Sequence, residues 1–303
     1  MSASYPFSYR AFGLNVLSQL AVTGFEPAKP GSADVHIHTG EVSDTLPGAV
    51  NKGVLFQSTD SEFLLHVDNV ARYHVRNGNE IIVQPLGHAS PHEVSAFITG
   101  TSFGALLHQR RMLPLHASTV VFNGRCLVFA GLSGAGKSTL AASLVNAGGT
   151  LVADDISVID FTGQPAVCPA FPTIKIWDDS LRHLGLSSKG LHAVRGELKK
   201  YYLPVTEFST EKAVIHQIFV LGSHNRETAE VKDVKGVDKF RALKKNTYLF
   251  RGIPNTGLEQ NHFLLASKLA AAVPVTMLIR PNAGFNTAAL LNLIAENAAS
   301  PAT

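Results

Sequence analysis

The stretch Val128-Phe-Ala-Gly-Leu-Ser-Gly-Ala-Gly-Lys137-Ser138-Thr139 decides the fold expected of this chain. An apolar strand, residues 126–130, runs into a glycine-rich turn, and a helix begins near Lys137. Because glycine lacks a Cβ, Gly131, Gly134 and Gly136 let the backbone take up positive φ and turn its N–H groups inward. These donors and the positive end of the helix dipole form a cradle for phosphate. The stretch predicts a strand–turn–helix unit that binds a nucleoside triphosphate.

The pattern G-x-x-x-x-G-K-[ST] matches at every position of this stretch. In that pattern the lysine, Lys137, contacts the β- and γ-phosphates, and the hydroxyl of Ser138 holds the Mg²⁺ that bridges them. The predicted nucleotide site consists of Gly131, Ser133, Gly134, Ala135, Gly136, Lys137, Ser138 and Thr139.

Two carboxylates follow at the end of a second apolar strand, Leu151-Val-Ala-Asp154-Asp155. One short helix and a turn separate them from the glycine-rich turn. We therefore expect the acid-bearing strand to lie beside strand 126–130 and to end at the same sheet edge, where α/β proteins bind ligands. Neighbouring strand residues point in opposite directions. One carboxylate can therefore steady Mg²⁺ while the other faces the phosphate acceptor.

A histidine, His116, precedes the glycine-rich turn in Leu113-Pro-Leu-His116-Ala-Ser118. It is expected on a strand that leads toward the nucleotide strand. From there it could hydrogen-bond the terminal phosphate or the acidic pair.

Composition excludes several classes of protein. The 303 residues are 45% hydrophobic and 16% charged, which is typical of a globular chain of one large or two modest domains. The net charge of +3 does not indicate nucleic-acid binding. Cys126 and Cys168 form no CxxC pair for zinc or redox chemistry. Without a signal-peptide pattern or a run of ~18 apolar residues, a cytoplasmic protein without membrane contact is expected.

The chain divides into three predicted parts. Residues 1–90 read as a β-rich N-terminal domain, residues 91–112 contain a bridging amphipathic helix, and residues 113–303 form the nucleotide domain. In the last part strands alternate with helices, which favours a mixed α/β sheet. Strands are predicted at 35–38, 53–56, 63–67, 71–75, 80–84, 126–130, 150–153, 173–176, 213–220 and 274–279, helices at 91–109, 261–272 and 287–298, and a frayed tail at 298–303.

His116, the glycine-rich turn with Lys137 and Ser138, and the acidic pair together resemble the catalytic core of the HPr kinase/phosphorylase family, in order and in spacing. That family is related in fold to ATP-dependent phosphoenolpyruvate carboxykinase. The resemblance implies an α/β fold with a P-loop kinase core of this type and a smaller β-rich N-terminal domain. It implies ATP and Mg²⁺ as cofactors, Asp155 as the catalytic base, Asp154 as its metal-side neighbour and His116 as a phosphate-proximal catalytic residue with Lys137.

Residues 9–14, 104–109 and 200–204 are similar to a compact branch of related proteins. Some members of that branch phosphorylate the C-terminal serine of a lasso precursor peptide, which implies a peptide or small-protein serine as the acceptor. Candidates to line the acceptor site are Lys175, Lys199, Lys200 and Arg251. The related large enzymes are hexamers, so the assembly of several copies of this chain stays open.

The chain departs from the full enzymes at two points. Their glycine-rich acidic signature supplies a Mg-binding glutamate, and its nearest substitute here is Glu197. Arg280 is only a loose counterpart of the arginine in their phosphorolysis segment. We therefore expect a serine kinase only, without phosphorylase activity.

Three alternatives remain open. The turn also resembles that of adenylylsulfate kinases, whose acceptor is a small nucleotide hydroxyl, although here the two acids come sooner and are adjacent. A non-catalytic nucleotide-binding regulator would bind Mg-ATP and label no acceptor. A plain ATPase would hydrolyse ATP at a rate that no acceptor changes.

Overall fold

The computed structural model describes residues 4–196, 198–282 and 287–299, and it shows a mixed α/β protein with several sheets. The tail predicted to fray lies mostly outside the described residues. The boundaries drawn between the three parts of the chain stay a prediction. No helix in the described ranges is long and apolar enough to cross a membrane.

The N-terminal part forms one sheet of short strands. They are β1 (Phe7–Ala11), β2 (Leu14–Ser18), β3 (Glu26–Pro27), β4 (Val35–Thr39), β5 (Asn51–Lys52), β6 (Phe56–Ser58), β7 (Glu62–Val67), β8 (Ala71–Arg76) and β9 (Glu80–Pro85). Their order in the sheet is β3-β1-β2-β4-β9-β8-β7-β6-β5. In β8, buried and half-buried residues alternate, as expected of a strand with one face on the core.

The strand predicted at residues 53–56 is wrong. The Gly53 amide donates to the Phe56 carbonyl across a turn between β5 and β6. Val54 is fully exposed at the tip of that turn. An apolar run there does not form a strand because its side chains reach no core.

The predicted helix over residues 91–109 is confirmed, with an interruption. Ser90 caps its start, accepting from the Glu93 amide while its own amide donates to the Glu93 carboxylate. The helix runs as α1 (Pro91–Phe97), a π-helical segment (Ile98–Ser102) and α2 (Phe103–Gln109). In a π-helical turn the backbone hydrogen bonds span five residues, one more than in an α-helix. Nothing in the hydrophobic pattern of the sequence predicts this wider turn.

The remaining elements follow in chain order. They are β10 (Leu113–Leu115), β11 (Ala117–Phe122), β12 (Arg125–Ala130), α3 (Lys137–Asn146), β13 (Thr150–Ala153), β14 (Ser157–Asp160), β15 (Ala166–Cys168), β16 (Thr173–Trp177), α4 (Asp178–His183), β17 (Lys200–Pro204), β18 (Ala213–His224), β19 (Glu230–Asp233), α5 (Val237–Lys245), a 3₁₀ turn (Phe250–Gly252), α6 (Glu259–Ala272), β20 (Val275–Pro281) and α7 (Thr287–Ala299).

A second sheet positions the predicted nucleotide site. Its order is β10-β14-β15-β18-β12-β11-β13, with β20 pairing β18 and β19 pairing β20. The acid-bearing strand, β13, does not lie beside the loop strand, β12, as the sequence predicted. Instead β11 lies between them and pairs antiparallel with both. Consequently β12 and β13 run parallel and end at the same edge, where β11 begins.

A separate two-stranded sheet, β16–β17, lies outside this order, and in it Trp177 pairs with Lys200. Because these two residues are directly opposite each other in the antiparallel pair, their side chains are neighbours on one face of the sheet. Helix α4 begins directly after Trp177.

One aromatic cluster joins the N-terminal sheet to the rest of the molecule. Phe12 contacts Phe103 and Phe171 at ring-centre distances of 5.3 and 5.6 Å. Phe25 contacts the same two rings at 5.3 and 5.4 Å. The main apolar core therefore crosses the predicted domain boundary.

Both cysteines of the chain are reduced and buried. Cys126 lies in β12 and Cys168 in β15, with exposed fractions of 4% and 3%. Burial raises the pKa of Cys126 to about 12 and that of Cys168 to about 11. Neither thiol is ionised at neutral pH.

Candidate functional site

The glycine loop, residues 131–136, joins β12 to α3 in a backbone conformation that favours glycine. Gly134 and Gly136 have φ angles of 82° and 97°, and Gly136 is the residue that caps α3. A Cβ on Gly131 would lie 3.1 Å from the Cβ of Ala135 and 3.3 Å from that of Leu221. Each glycine of the motif thus meets a conformational or a steric requirement.

Lys137 begins α3 and is 6% exposed. Its ammonium donates to the carbonyls of Gly131 and Leu132 at 2.8 and 3.0 Å, so the side chain lies back along the loop. Burial lowers the pKa of Lys137 to about 8, although the negative charges of Asp154 and Asp155 act to raise it. An anion in the loop would raise that pKa again and keep the ammonium charged.

Asp154 lies beneath the edge of the sheet and is 2% exposed. One carboxylate oxygen accepts from the Ser118 hydroxyl at 2.6 Å, and the other accepts from the Lys175 amide at 2.9 Å. Through these two bonds Asp154 ties β13 to the start of β11 and to β16. Its predicted role as a metal ligand stays a prediction.

Asp155 lies beyond the end of β13 and has a left-handed φ of 70°, so the alternation of strand residues that the sequence suggested does not set the direction of its side chain. Its carboxylate lies 3.1 Å from the Lys175 ammonium and 3.5 Å from Nδ1 of His116. Burial opposes ionisation, but the charges of Lys175, His116 and Lys200 outweigh it and hold the pKa of Asp155 well below its usual range. Asp155 is therefore a carboxylate throughout the physiological pH range.

His116 occupies the junction between β10 and β11. Its Nδ1 lies 3.0 Å from the backbone carbonyl of Asp155, an acceptor only, so Nδ1 carries the proton. The ring also packs against Tyr248 at 5.6 Å between centres. Burial lowers the pKa of His116, and the nearby charge of Lys137 adds to that effect. In the neutral form of the ring the proton lies on Nδ1, which leaves Nε2 as an acceptor.

These side chains meet in a polar pocket of about 90 Å³ over the glycine loop. The pocket brings together most of the residues that the sequence predicted, Lys200 among them, and it adds Trp177 and Ser180. Its lining consists of His116, Ser133, Gly134, Gly136, Lys137, Ser138, Thr139, Asp155, Trp177, Ser180 and Lys200.

A larger and more apolar cleft of about 530 Å³ adjoins the other side of the loop. It shares Gly134, Gly136, Thr139 and Ser180 with the polar pocket. Ala135, Leu221, Leu278 and Leu290 line its apolar wall, together with Arg280. The loop thus separates a small charged space from a wide apolar one.

The other candidates from the sequence lie in different surroundings. Lys175 is 4% exposed and binds Asp155 from below the pocket. Lys200 lines the pocket, whereas Lys199 is exposed outside it, as is Arg251 on the 3₁₀ turn. Glu197 lies outside the described residues.

An oxygen-rich donor set faces the pocket. Within the described ranges, no group of three or more histidine, cysteine or carboxylate side chains could hold a metal ion by itself. Mg²⁺ at phosphate sites needs few protein ligands because it keeps waters and binds phosphate oxygens. The Ser138 hydroxyl and the Asp155 carboxylate line the pocket, and both are ligands of the kind that Mg²⁺ prefers. The donor chemistry fits a magnesium-bound phosphate.

Sequence reasoning missed Trp177 and Ser180. Trp177 is the chain's one tryptophan, and it is 42% exposed at the end of a strand. In the sequence, only its position directly before the acidic start of α4 could have identified Trp177 as a site residue. Ser180 gave no signal, because its approach to Thr139 (2.7 Å between hydroxyl oxygens) depends on how α4 packs against α3.

No family model matches this chain, and no curated protein matches it. A search of solved structures finds similarity to the Hpr(Ser) kinase/phosphatase from Coxiella burnetii. The two chains are 14% identical, the match covers 61% of this chain and 95% of the other, and the TM-score is 0.32. The similarity is distant.

Proposed function

We propose that this chain is a kinase that transfers the terminal phosphoryl group of Mg-ATP to a serine hydroxyl of a peptide or small protein. One observation carries the proposal. The Asp155 carboxylate lines the same pocket as Lys137 and Ser138, and it is held there by Lys175 and His116. A carboxylate fixed beside a phosphate cradle is what phosphoryl transfer to a hydroxyl requires.

In the proposed reaction the loop amides and Lys137 bind the β- and γ-phosphates. Lys137 gives up its bonds to the Gly131 and Leu132 carbonyls to do so. Mg²⁺, held by the Ser138 hydroxyl and the phosphate oxygens, neutralises charge on the transferring group. The wide apolar cleft beside Ala135 offers space for the nucleoside.

Asp155 then orients the acceptor hydroxyl and takes its proton as the oxygen bonds to the γ-phosphorus and the bond to the β-phosphate oxygen breaks. A carboxylate with a lowered pKa is a weak base. Phosphoryl transfer has a loose transition state, however, so positioning of the nucleophile matters more than early proton removal. The left-handed backbone and two bonded neighbours of Asp155 supply that positioning.

The acceptor class rests on the resemblance described from the sequence, and the direction of the reaction rests on Arg280. This arginine lines the apolar cleft and is absent from the residues lining the polar pocket. We accordingly propose transfer to the acceptor without phosphorolysis of the product.

The test is transfer from γ-labelled Mg-ATP to a panel of serine-containing peptides, with adenylylsulfate as the small-molecule alternative. We expect label on serine in one or more peptides and none with a Lys137→Ala variant. Nucleotide binding without any labelled acceptor would indicate a regulatory module instead. ATP hydrolysis that no acceptor changes would indicate an ATPase.

A further inference from the structure

Lys200 reaches the predicted phosphate site from the β16–β17 sheet, an element separate from the glycine loop. It begins β17, lies half-buried, and lines the polar pocket together with Lys137 and Asp155. Its ammonium lies 5.7 Å from the centre of the ring of Trp177, which is its partner across the β16–β17 sheet. The indole face thus gives this cation a defined resting place at the mouth of the pocket.

The charges around the pocket do not balance, and positive charge is in excess. Asp155 supplies a negative charge, but Lys175 already neutralises it from below at 3.1 Å. Asp154 has both carboxylate oxygens bonded away from the pocket. The groups that bond Asp154 are neutral and leave its charge in place, so Lys137, Lys175 and Lys200 together carry one more charge than Asp154 and Asp155. A terminal phosphate is the anion of suitable size and charge.

The two lysines come from different elements. Lys137 begins α3, directly after the glycine loop, whereas Lys200 begins β17, and its charge acts on the carboxylate of Asp155, the proposed base. As the phosphoryl group moves from the leaving oxygen to the attacking oxygen, it moves toward Asp155. A cation near Asp155 interacts more strongly with the transition state than with bound nucleotide.

We propose that Lys200 is a catalytic residue, a second cation supplied by the chain itself, which leaves the face of Trp177 and binds the terminal phosphoryl oxygens during transfer. This rests on the proposed function. The ammonium forms no covalent bond and keeps its proton. Trp177 holds the side chain near the pocket in the free protein, which lowers the entropy that Lys200 loses on binding phosphate.

The first test compares Lys200→Met with Lys199→Met, the neighbouring lysine that is exposed outside the pocket. We expect kcat to fall roughly 10²- to 10³-fold in Lys200→Met, as on removal of one transition-state donor. The KM for Mg-ATP should change by about threefold or less, since the interaction forms mainly in the transition state. Lys199→Met should match the wild type, and Lys200→Arg should keep more activity than Lys200→Met. Equal effects at positions 199 and 200, or a loss confined to KM, would overturn the assignment.

A second test needs no acceptor. Mg-ADP with aluminium fluoride mimics the transferring phosphoryl group, and its binding can be measured by calorimetry beside that of Mg-ADP alone. We expect Lys200→Met to lose about 10²-fold in affinity for the fluoride complex, with ADP affinity nearly unchanged. On binding the complex, the wild type should also change its tryptophan fluorescence more than Lys200→Met does, because only in the wild type does an ammonium leave the Trp177 ring.

The two tests separate the two proposals. If no acceptor is ever labelled but the fluoride complex depends on Lys200, the proposed acceptor class is wrong and the role of Lys200 stands. If the wild type binds Mg-ADP equally with and without aluminium fluoride, the role of Lys200 is refuted, whatever the acceptor.

Discussion

Asp155 combines a strained backbone with a paired charge. A φ of 70° is rare for a residue with a Cβ and costs on the order of 1 kcal/mol. Two hydrogen bonds hold that conformation. Nδ1 of His116 donates to the Asp155 carbonyl, and the Lys175 ammonium donates to the Asp155 carboxylate. Lys175 serves both acids, with its amide on Asp154 and its ammonium on Asp155. A single buried lysine therefore positions the pair.

At the scale of single residues, two variants should distinguish nucleotide binding from phosphoryl transfer. They are Asp155→Asn and Lys137→Ala. The amide cannot accept the hydroxyl proton, so Asp155→Asn should reduce kcat by ~10²-fold or more while nucleotide affinity stays close to the wild type. Lys137→Ala should weaken both, because its ammonium contacts phosphate in the ground state as well. Calorimetry with Mg-ATP and a labelled-transfer assay measure the two quantities.

Asp160→Asn is the matched control, since Asp160 also ends a strand but pairs with Lys212 outside the pocket. It should leave kcat unchanged. An equal loss of nucleotide affinity in Asp155→Asn and Lys137→Ala would contradict the division of roles.

At the scale of elements, sequence prediction succeeded where the signal was local. The strand before the glycine loop, the helix after it and the strand before Asp154 are confirmed because apolar runs and glycine positions specify them directly. The order of strands was missed. That β11 lies between β12 and β13 depends on pairing between residues far apart in sequence, such as Thr119 with Ala153. No local pattern encodes that choice.

The packing of α2 against Tyr248 gives an element-level prediction. A Cβ on Gly104 would lie 2.7 Å from the Tyr248 ring, which itself packs on His116. Gly104→Ala should therefore push Tyr248 away and destabilise the fold by roughly 1–3 kcal/mol. It should also lower kcat, because His116 loses its support. Denaturant unfolding and the transfer assay measure both effects.

Gly163→Ala is the control, because a Cβ there meets no heavy atom within 4 Å. It should change neither quantity measurably. If Gly104→Ala kept wild-type stability, the close contact between α2 and the Tyr248 ring would be disproved.

Two buried histidines on α2 and α6 make stability depend on pH. Burial lowers the pKa of His108 to about 4, and burial together with the charge of His108 lowers that of His262 to about 4. The folded state thus favours the neutral rings. The two rings contribute fully to the free energy of unfolding at pH values above about 6.5, the pKa of histidine in the unfolded chain. This contribution is lost as the pH falls toward 4. At pH 5 the loss should be about 2 kcal/mol for each ring.

Denaturant unfolding between pH 7.5 and 4.5 tests this expectation. His108→Gln should be less stable at pH 7.5, because the bond from its ring to the Tyr248 carbonyl is lost, but it should lose less stability on acidification than the wild type. The exposed His88→Gln should follow the wild-type curve. Identical pH slopes for the wild type and His108→Gln would exclude His108 as a source of the dependence.

At the scale of the molecule, the aromatic cluster of Phe12, Phe25, Phe103 and Phe171 makes the two large sheets share one core. The sequence suggested a division near residue 90, because strands precede that point and alternating strands and helices follow it. The packing between the parts could not be predicted, since it depends on which rings meet in space. The same limit applies to the site: the sequence identified the loop and the acids, and only the fold brings in Trp177 and Ser180.

Shared packing predicts one cooperative unfolding transition for the whole chain. Phe171→Ala should lower its stability by about 3–5 kcal/mol, the usual cost of deleting a buried aromatic ring. Far-UV circular dichroism and Trp177 fluorescence should show coincident transitions in both proteins. Phe263→Ala, at a ring that is 55% exposed, should have a small effect. Two separate transitions in the wild type would mean that the halves unfold independently.

The two buried thiols have a practical consequence. Maleimides and other alkylating reagents attack thiolates, and neither Cys126 nor Cys168 offers one at the surface of the native protein. A cysteine introduced at an exposed position, for example by Lys199→Cys, would therefore be the sole reactive thiol. A dye or spin label could then be attached next to the mouth of the pocket without removing either native cysteine.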